Sequence, residues 1–153
     1  MTSTVFDPVQ VEQLIAERLE ATVKAAGLVK FVYRTKAYKQ LDEQSQIVPS
    51  LVVIYNGMRP VEQPTNTAVI SVDFDYLVVI VVRSSKDALR ATGAKADAGT
   101  IFIPTLQALV RWKPAPGLSR MTLAEGPPAD YDDAGLVYLP SSFTTRLTIT
   151  PTP

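Results

Sequence analysis

The segment AVISVDFDYLVVIVVRS, residues 68–84, constrains the fold more than any other stretch. Val72, Phe74, Tyr76, Val78, Ile80 and Val82 make one parity apolar throughout, the pattern of a strand whose face lies on a core. The other parity changes character, from Ser71, Asp73 and Asp75 to Leu77, Val79 and Val81. The strand should therefore be wet on one side over its first half and covered on both over its second. At about 3.3 Å per residue it outruns a typical small sheet, so part of it is expected to project as a ribbon.

Around this strand the chain supplies helices and shorter strands. Asp7 is placed to cap a helix over residues 8–26, with Pro8 at its first position and Gln10 as capping-box partner. Phe6 and Val11 are spaced as a hydrophobic staple, and Val11, Leu14, Ile15, Leu19, Val23 and Ala26 form one apolar stripe. Gly27 suits a left-handed cap. LVKFVY (28–33) reads as a strand with Val29, Phe31 and Tyr33 on one face, and the polar, aperiodic stretch 34–47 as a long loop. PSLVVIYNG (49–57) is a buried strand ending in a turn.

Beyond residue 84 an alanine-rich, partly helical stretch leads to a second main helix over 97–112. Phe102, Leu106, Leu109 and Val110 are expected to face inward, and Pro104 to kink the helix or mark its start. KPAPG ends it. A short strand over 120–126, a turn, and a final strand over 136–150 interrupted near Pro140 complete the chain. The expected class is α+β, a mainly antiparallel sheet packed against two main helices, in one domain over residues 1–153.

Composition removes most chemistry. The chain has no cysteine and no histidine, so thiolate nucleophiles, disulfides, the commonest zinc ligands and the commonest general base are all missing. Fifteen basic residues balance fifteen acidic ones, so no global field would steer the chain to nucleic acid or an anionic membrane. The N-terminus lacks the pattern of a signal peptide. The longest apolar run, residues 76–82, is far short of the ~18 residues a membrane-spanning helix needs. No catalytic residue, metal ligand or cofactor is expected.

The remaining candidates are surface groups. Asp73 and Asp75 share a strand face. They could form an acidic metal pair, but with no third ligand nearby they read better as a solvated face that discourages edge pairing. Asp130, Asp132 and Asp133 lie in a turn without the ligand alternation of a calcium loop. Residues 93–100 carry glycines and a lysine without the spacing of a phosphate-binding loop. Arg34, Lys36, Tyr38 and Lys39 interleave cations with an aromatic ring, suited to phosphates or a carboxylate-lined partner, or to plain solvation. The candidate partner contacts are Arg34, Lys36, Tyr38, Lys39, Asp73, Asp75, Asp130, Asp132 and Asp133. Trp112 reads as a large side chain closing the core, pinning the helix end to the sheet while Pro114 and Pro116 turn the chain.

The order of elements, with ALVRWKPAPG after the second helix and LVYLPSSFTTRLTI at the end, resembles the tail terminator (tail completion) proteins of long-tailed bacteriophages and prophages. Leu109, Trp112 and Pro114 match that family's Leu-x-x-Trp-x-Pro segment. Tyr138, Phe143 and Thr145 match its closing aromatic residue followed by Phe-x-Thr. Arg111 departs from it, standing where the family usually has glycine. The resemblance covers nearly all of the chain and gives Trp112, Pro114 and Phe143 structural roles. It implies a non-enzymatic virion subunit forming a hexameric ring on the head-proximal end of the tail tube. That ring would stop polymerisation and offer a surface to the head–tail connector, with a lumen through which DNA could pass without sequence-specific binding. Location would be the virion tail, and the host cytoplasm during assembly. A connector adaptor of the phage neck and a small cellular ligand-binding module are the alternatives.

Overall fold

The computed structural model describes residues 7–34, 48–61, 68–83, 88–131 and 135–152, with the backbone alone over 88–97. Helix α1 spans Pro8–Leu19 and continues as one π-helical turn, Glu20–Lys24. The strands are β1 Phe31–Arg34, β2 Ser50–Pro60, β3 Ile70–Arg83, β4 Thr122–Ala124, β5 Asp130–Tyr131 and β6 Leu136–Ile149, with α2, Ala88–Leu109, between β3 and β4. The sheet order is β1-β2-β3-β6-β4, with β5 also paired to β6. Among the described strands only β1 and β2 run parallel; the other pairings are antiparallel. This is the expected α+β class.

The start of α1 follows from local chemistry. One carboxylate oxygen of Asp7 accepts the amides of Val9 and Gln10 at 2.9 and 2.8 Å, and the Gln10 side chain accepts the Asp7 amide. Four otherwise unpaired donors make this terminus costly without such a cap. Gly27 adopts φ 80°, closing the helix as expected. Phe6, the proposed staple partner, lies outside the described residues.

Strand β3 behaves as its two parities demand. All 14 residues pair with β6. Phe74, Tyr76, Val78, Ile80 and Val82 enter the core under the helices, with Val11, Ile15, Leu19, Ile101 and Leu109. Leu77, Val79 and Val81 enter a second buried cluster with Val52, Ile54, Leu136 and Tyr138. Toward Ile70 the strand opens to solvent, and the adjacent Met58 and Val69 are exposed. Tyr76 is fully buried, and its hydroxyl donates to the Pro8 carbonyl at 2.8 Å, tying the first turn of α1 to the sheet. Burial raises the pKa of this phenol far above its ordinary value.

Four expectations are corrected. The first strand starts at Phe31, because Gly27 is followed by a turn in which the Lys30 amide donates to the Pro49 carbonyl. Val32 faces the core there, while Phe31 and Tyr33 lie on the other parity with ring centroids 4.4 Å apart. Helix α2 begins at residue 88 and ends at Leu109, with Pro104 inside it. Its buried stripe is Ala98, Ile101, Thr105, Ala108 and Leu109, whereas Phe102 and Val110 are each 36% exposed. Small residues at the contact let the helix lie close to the sheet, which turns the bulkier Phe102 outward.

The fourth correction concerns Pro140, which does not interrupt β6. The Arg146 amide donates to the Ser119 hydroxyl and the Arg146 carbonyl accepts the Ser119 amide. Even-numbered residues of β6 therefore turn their backbone groups away from β3, and Pro140 shares that parity. It lies between the residues paired to β5 and those paired to β4. No strand there needs the donor that proline lacks.

Candidate functional site

Asp73 and Asp75 come together with two arginines that pattern reading missed. In register, Asp73 faces Arg59 of β2 on one side and Arg146 of β6 on the other. Arg146 donates to Asp73 from Nε at 2.8 Å and from Nη2 at 3.3 Å. A bulge in β2 between Tyr55 and Met58 sets Arg59 opposite Asp73 rather than Val72, and from there its guanidinium reaches the diagonal Asp75 with bonds of 2.6 and 3.0 Å. The Thr144 hydroxyl adds a third bond to Asp75 at 2.6 Å. Cross-strand opposite charges of this kind hold register. A shallow cavity of about 190 Å³ lies beside them, lined by Asp73, Ser119, Thr122, Thr144 and Arg146.

This ladder is a neutralised network. Partial burial pushes the Asp75 carboxyl up, but the hydrogen bonds from Arg59 and Thr144 and the charge of Arg59 outweigh it, so its pKa is lowered. A lowered folded-state value means the carboxylate contributes stability above the ordinary aspartate range. That contribution is lost as pH falls through the folded value. Asp75→Asn is accordingly expected to lower stability at neutral pH and to flatten the acid limb of a stability–pH profile. Unchanged acid sensitivity in urea titrations of the variant would refute this.

Arg34 lies elsewhere. Its Nε meets Glu12 of α1 at 3.0 Å, and its Nη2 donates to the Val9 carbonyl at 3.3 Å. Asp130 is exposed on β5, toward the opposite end of β6 from Arg146. Lys36, Tyr38, Lys39, Asp132 and Asp133 fall outside the described residues. The described candidate contacts thus do not converge on one pocket. Among the described residues no three carboxylates cluster as a metal site, and no helix is long and apolar enough to cross a membrane.

The segment after α2 is held by its own backbone. Arg111 has φ 67°, left-handed backbone that favours glycine. Its amide donates to the Met121 carbonyl, and the Met121 amide donates to the Trp112 carbonyl, both at 2.8 Å. That is the hydrogen-bond pattern of a bulge whose first residue is left-handed. Trp112 is half-buried against the helix-side core, with the Arg18 guanidinium 5.6 Å from its ring centroid. Arg18 also donates to the Ala108 carbonyl at 3.1 Å. Trp112 therefore fastens the end of α2 to α1 as well as to the core beside the sheet. Because part of the ring is exposed, Trp112→Ala is expected to cost about 2 kcal/mol, below the full-burial range. A loss above roughly 4 kcal/mol in denaturant unfolding would contradict this packing.

Pro114 and Pro116 follow as partly exposed turn residues, while Ala115 and Leu118 between and after them are buried. Phe143 is fully buried, and the Thr145 hydroxyl donates to the Ser119 carbonyl at 2.7 Å, anchoring the segment that leads into β4. The sequence model of the family described as Phage tail terminator protein matches residues 1–153, the whole chain. No curated protein matches the chain significantly.

Proposed function

The chain belongs to the phage tail terminator family, and on that premise we propose that its subunits form a ring, six in number, that caps the head-proximal end of the tail tube. Membership makes it a structural protein of the phage tail. The proposal adds that the ring ends tube polymerisation, presents its opposite surface to the head–tail connector, passes DNA through its lumen and performs no catalysis. The match over the full chain is the observation that carries this reading.

Surface asymmetry supports it. A tube subunit needs complementary top and bottom surfaces so that each ring templates the next, whereas a terminator needs to match the tube on one surface only. The outer half of this sheet has two unlike faces: the Arg59–Asp73–Arg146 row on one, and exposed Met58 and Ile70 on the other. Unlike patches are what head-to-tail rings and one-sided caps require. Deleting the gene and imaging the tails tests the proposal. Tubes that grow past their normal length, or complete tails that fail to join heads, are expected; normal infectious virions would refute it.

A further inference from the structure

Arg111, Lys113 and Arg120 are all exposed, and the hydrogen bonds joining Arg111 and Trp112 to Met121 bring the three onto one hairpin. None forms an ion pair among the described residues. No acidic residue occurs from 111 to 121. Like charges held side by side across a hairpin oppose folding, and Arg111 adds left-handed backbone strain. Val110 directly precedes Arg111, and Leu123 follows Met121 by two residues; both are exposed. Exposed apolar residues close in sequence to arginine and lysine are the composition of a protein contact, more than of a phosphate track.

The complementary surface lies on the same chain. Glu125 directly follows β4, and Asp130 and Tyr131 form β5; all three are exposed, beside the exposed Pro127 and Pro128. Ser119 is level with Arg146 on β6, whereas Asp130 is level with Tyr138. Eight strand residues, about 27 Å at ~3.4 Å each, separate the two levels. Within one subunit the cations of the hairpin and the carboxylate of Asp130 cannot meet.

We propose that the basic hairpin of one subunit, carrying Arg111, Lys113 and Arg120, docks with the neighbouring exposed Val110 and Leu123 on Glu125, Asp130 and Tyr131 of a second copy. The two patches differ, so the contact is heterologous and propagates until a ring closes. This rests on the ring reading above and names the surfaces that would build it. Charge pairing at the rim would set register and weaken with salt.

The test is paired charge reversal in the full chain. Lys113→Glu/Arg120→Glu makes both patches acidic, and Glu125→Arg/Asp130→Arg makes both basic. By native mass spectrometry, each variant alone is expected to self-associate roughly tenfold or more weakly than wild type, and an equimolar mixture to recover assembly by alternation. Arg111→Gly supplies a second readout, since it removes a cation while relieving backbone strain. It should unfold at an equal or higher midpoint yet assemble less well. Three results overturn the proposal: variants that assemble like wild type, a mixture that does not recover, or reversals that abolish binding to a random-sequence DNA duplex while sparing self-association. A wild type that stays monomeric both alone and on tube ends overturns it together with the ring. Rings at tube ends that ignore charge reversal remove this interface only.

Discussion

Phe143→Ala is expected to destabilise the subunit by about 3–5 kcal/mol, a large part of the ~5–15 kcal/mol that holds a domain together. Phe143 is fully buried in the helix-side core, opposite Tyr76 on one side and Leu123 on the other. Removing the ring leaves a cavity beneath a sheet whose long neighbours, β3 and β6, are fixed by 14 paired positions. That geometry leaves little freedom to collapse around the void. Phe143→Leu, which keeps most of the apolar volume, should cost roughly 1–2 kcal/mol. Equilibrium urea unfolding measures both. If Phe143→Ala unfolds near the wild-type midpoint and fails only in assembly, the residue belongs to a contact between subunits and its placement in the core is refuted.

The same residue shows what a sequence makes readable. Phe143 and Thr145 share a strand parity, and both are buried on the helix side. Phe143 was legible through its match to the family's Phe-x-Thr segment, whereas alternation made both halves of β3 legible, because successive side chains point to opposite faces of a strand. Caps are equally local: Asp7, Gln10 and Gly27 act within four residues of themselves. The face of α2 was legible only in part: Leu109 is buried and Leu106 packs on the core as expected, but Ala98 and Ala108 take the remaining contact through small size while Phe102 turns out. Pro140 misled because its effect depends on which neighbour its nitrogen faces, which pairing decides.

The candidate site was less legible still. Asp73 and Asp75 stood out as a pair, but Arg146 lies 73 positions from Asp73 and Arg59 reaches Asp75 only through the β2 bulge. No spacing rule joins them. Arg111 carried a signal in its resemblance to a family with glycine there. Its φ of 67° supplies the physical reason: the bulge opposite Met121 needs left-handed backbone.

Glu12 is the residue that sequence reading passed over entirely, and its removal should have the second large effect. It sits on α1 between Val11 and Ile15, and is only 8% exposed. One carboxylate oxygen accepts Arg34 Nε and the other the Tyr55 amide, each at 3.0 Å. Tyr55 is the last paired residue before the β2 bulge, so the carboxylate stands in for a strand partner. Glu12→Ala strips the amide of its acceptor and is expected to cost about 2–4 kcal/mol. Glu12→Gln retains an acceptor and should cost about half as much. Arg34→Ala leaves a buried carboxylate uncompensated, with a comparable loss of roughly 2–3 kcal/mol, and the double variant should lose less than the sum. The cycle also bears on function, because Arg34 was a candidate partner contact. Non-additive stability losses in urea unfolding of the free subunit would assign its guanidinium to Glu12. Wild-type stability in Arg34→Ala, with assembly alone impaired, would return Arg34 to the surface that meets a partner.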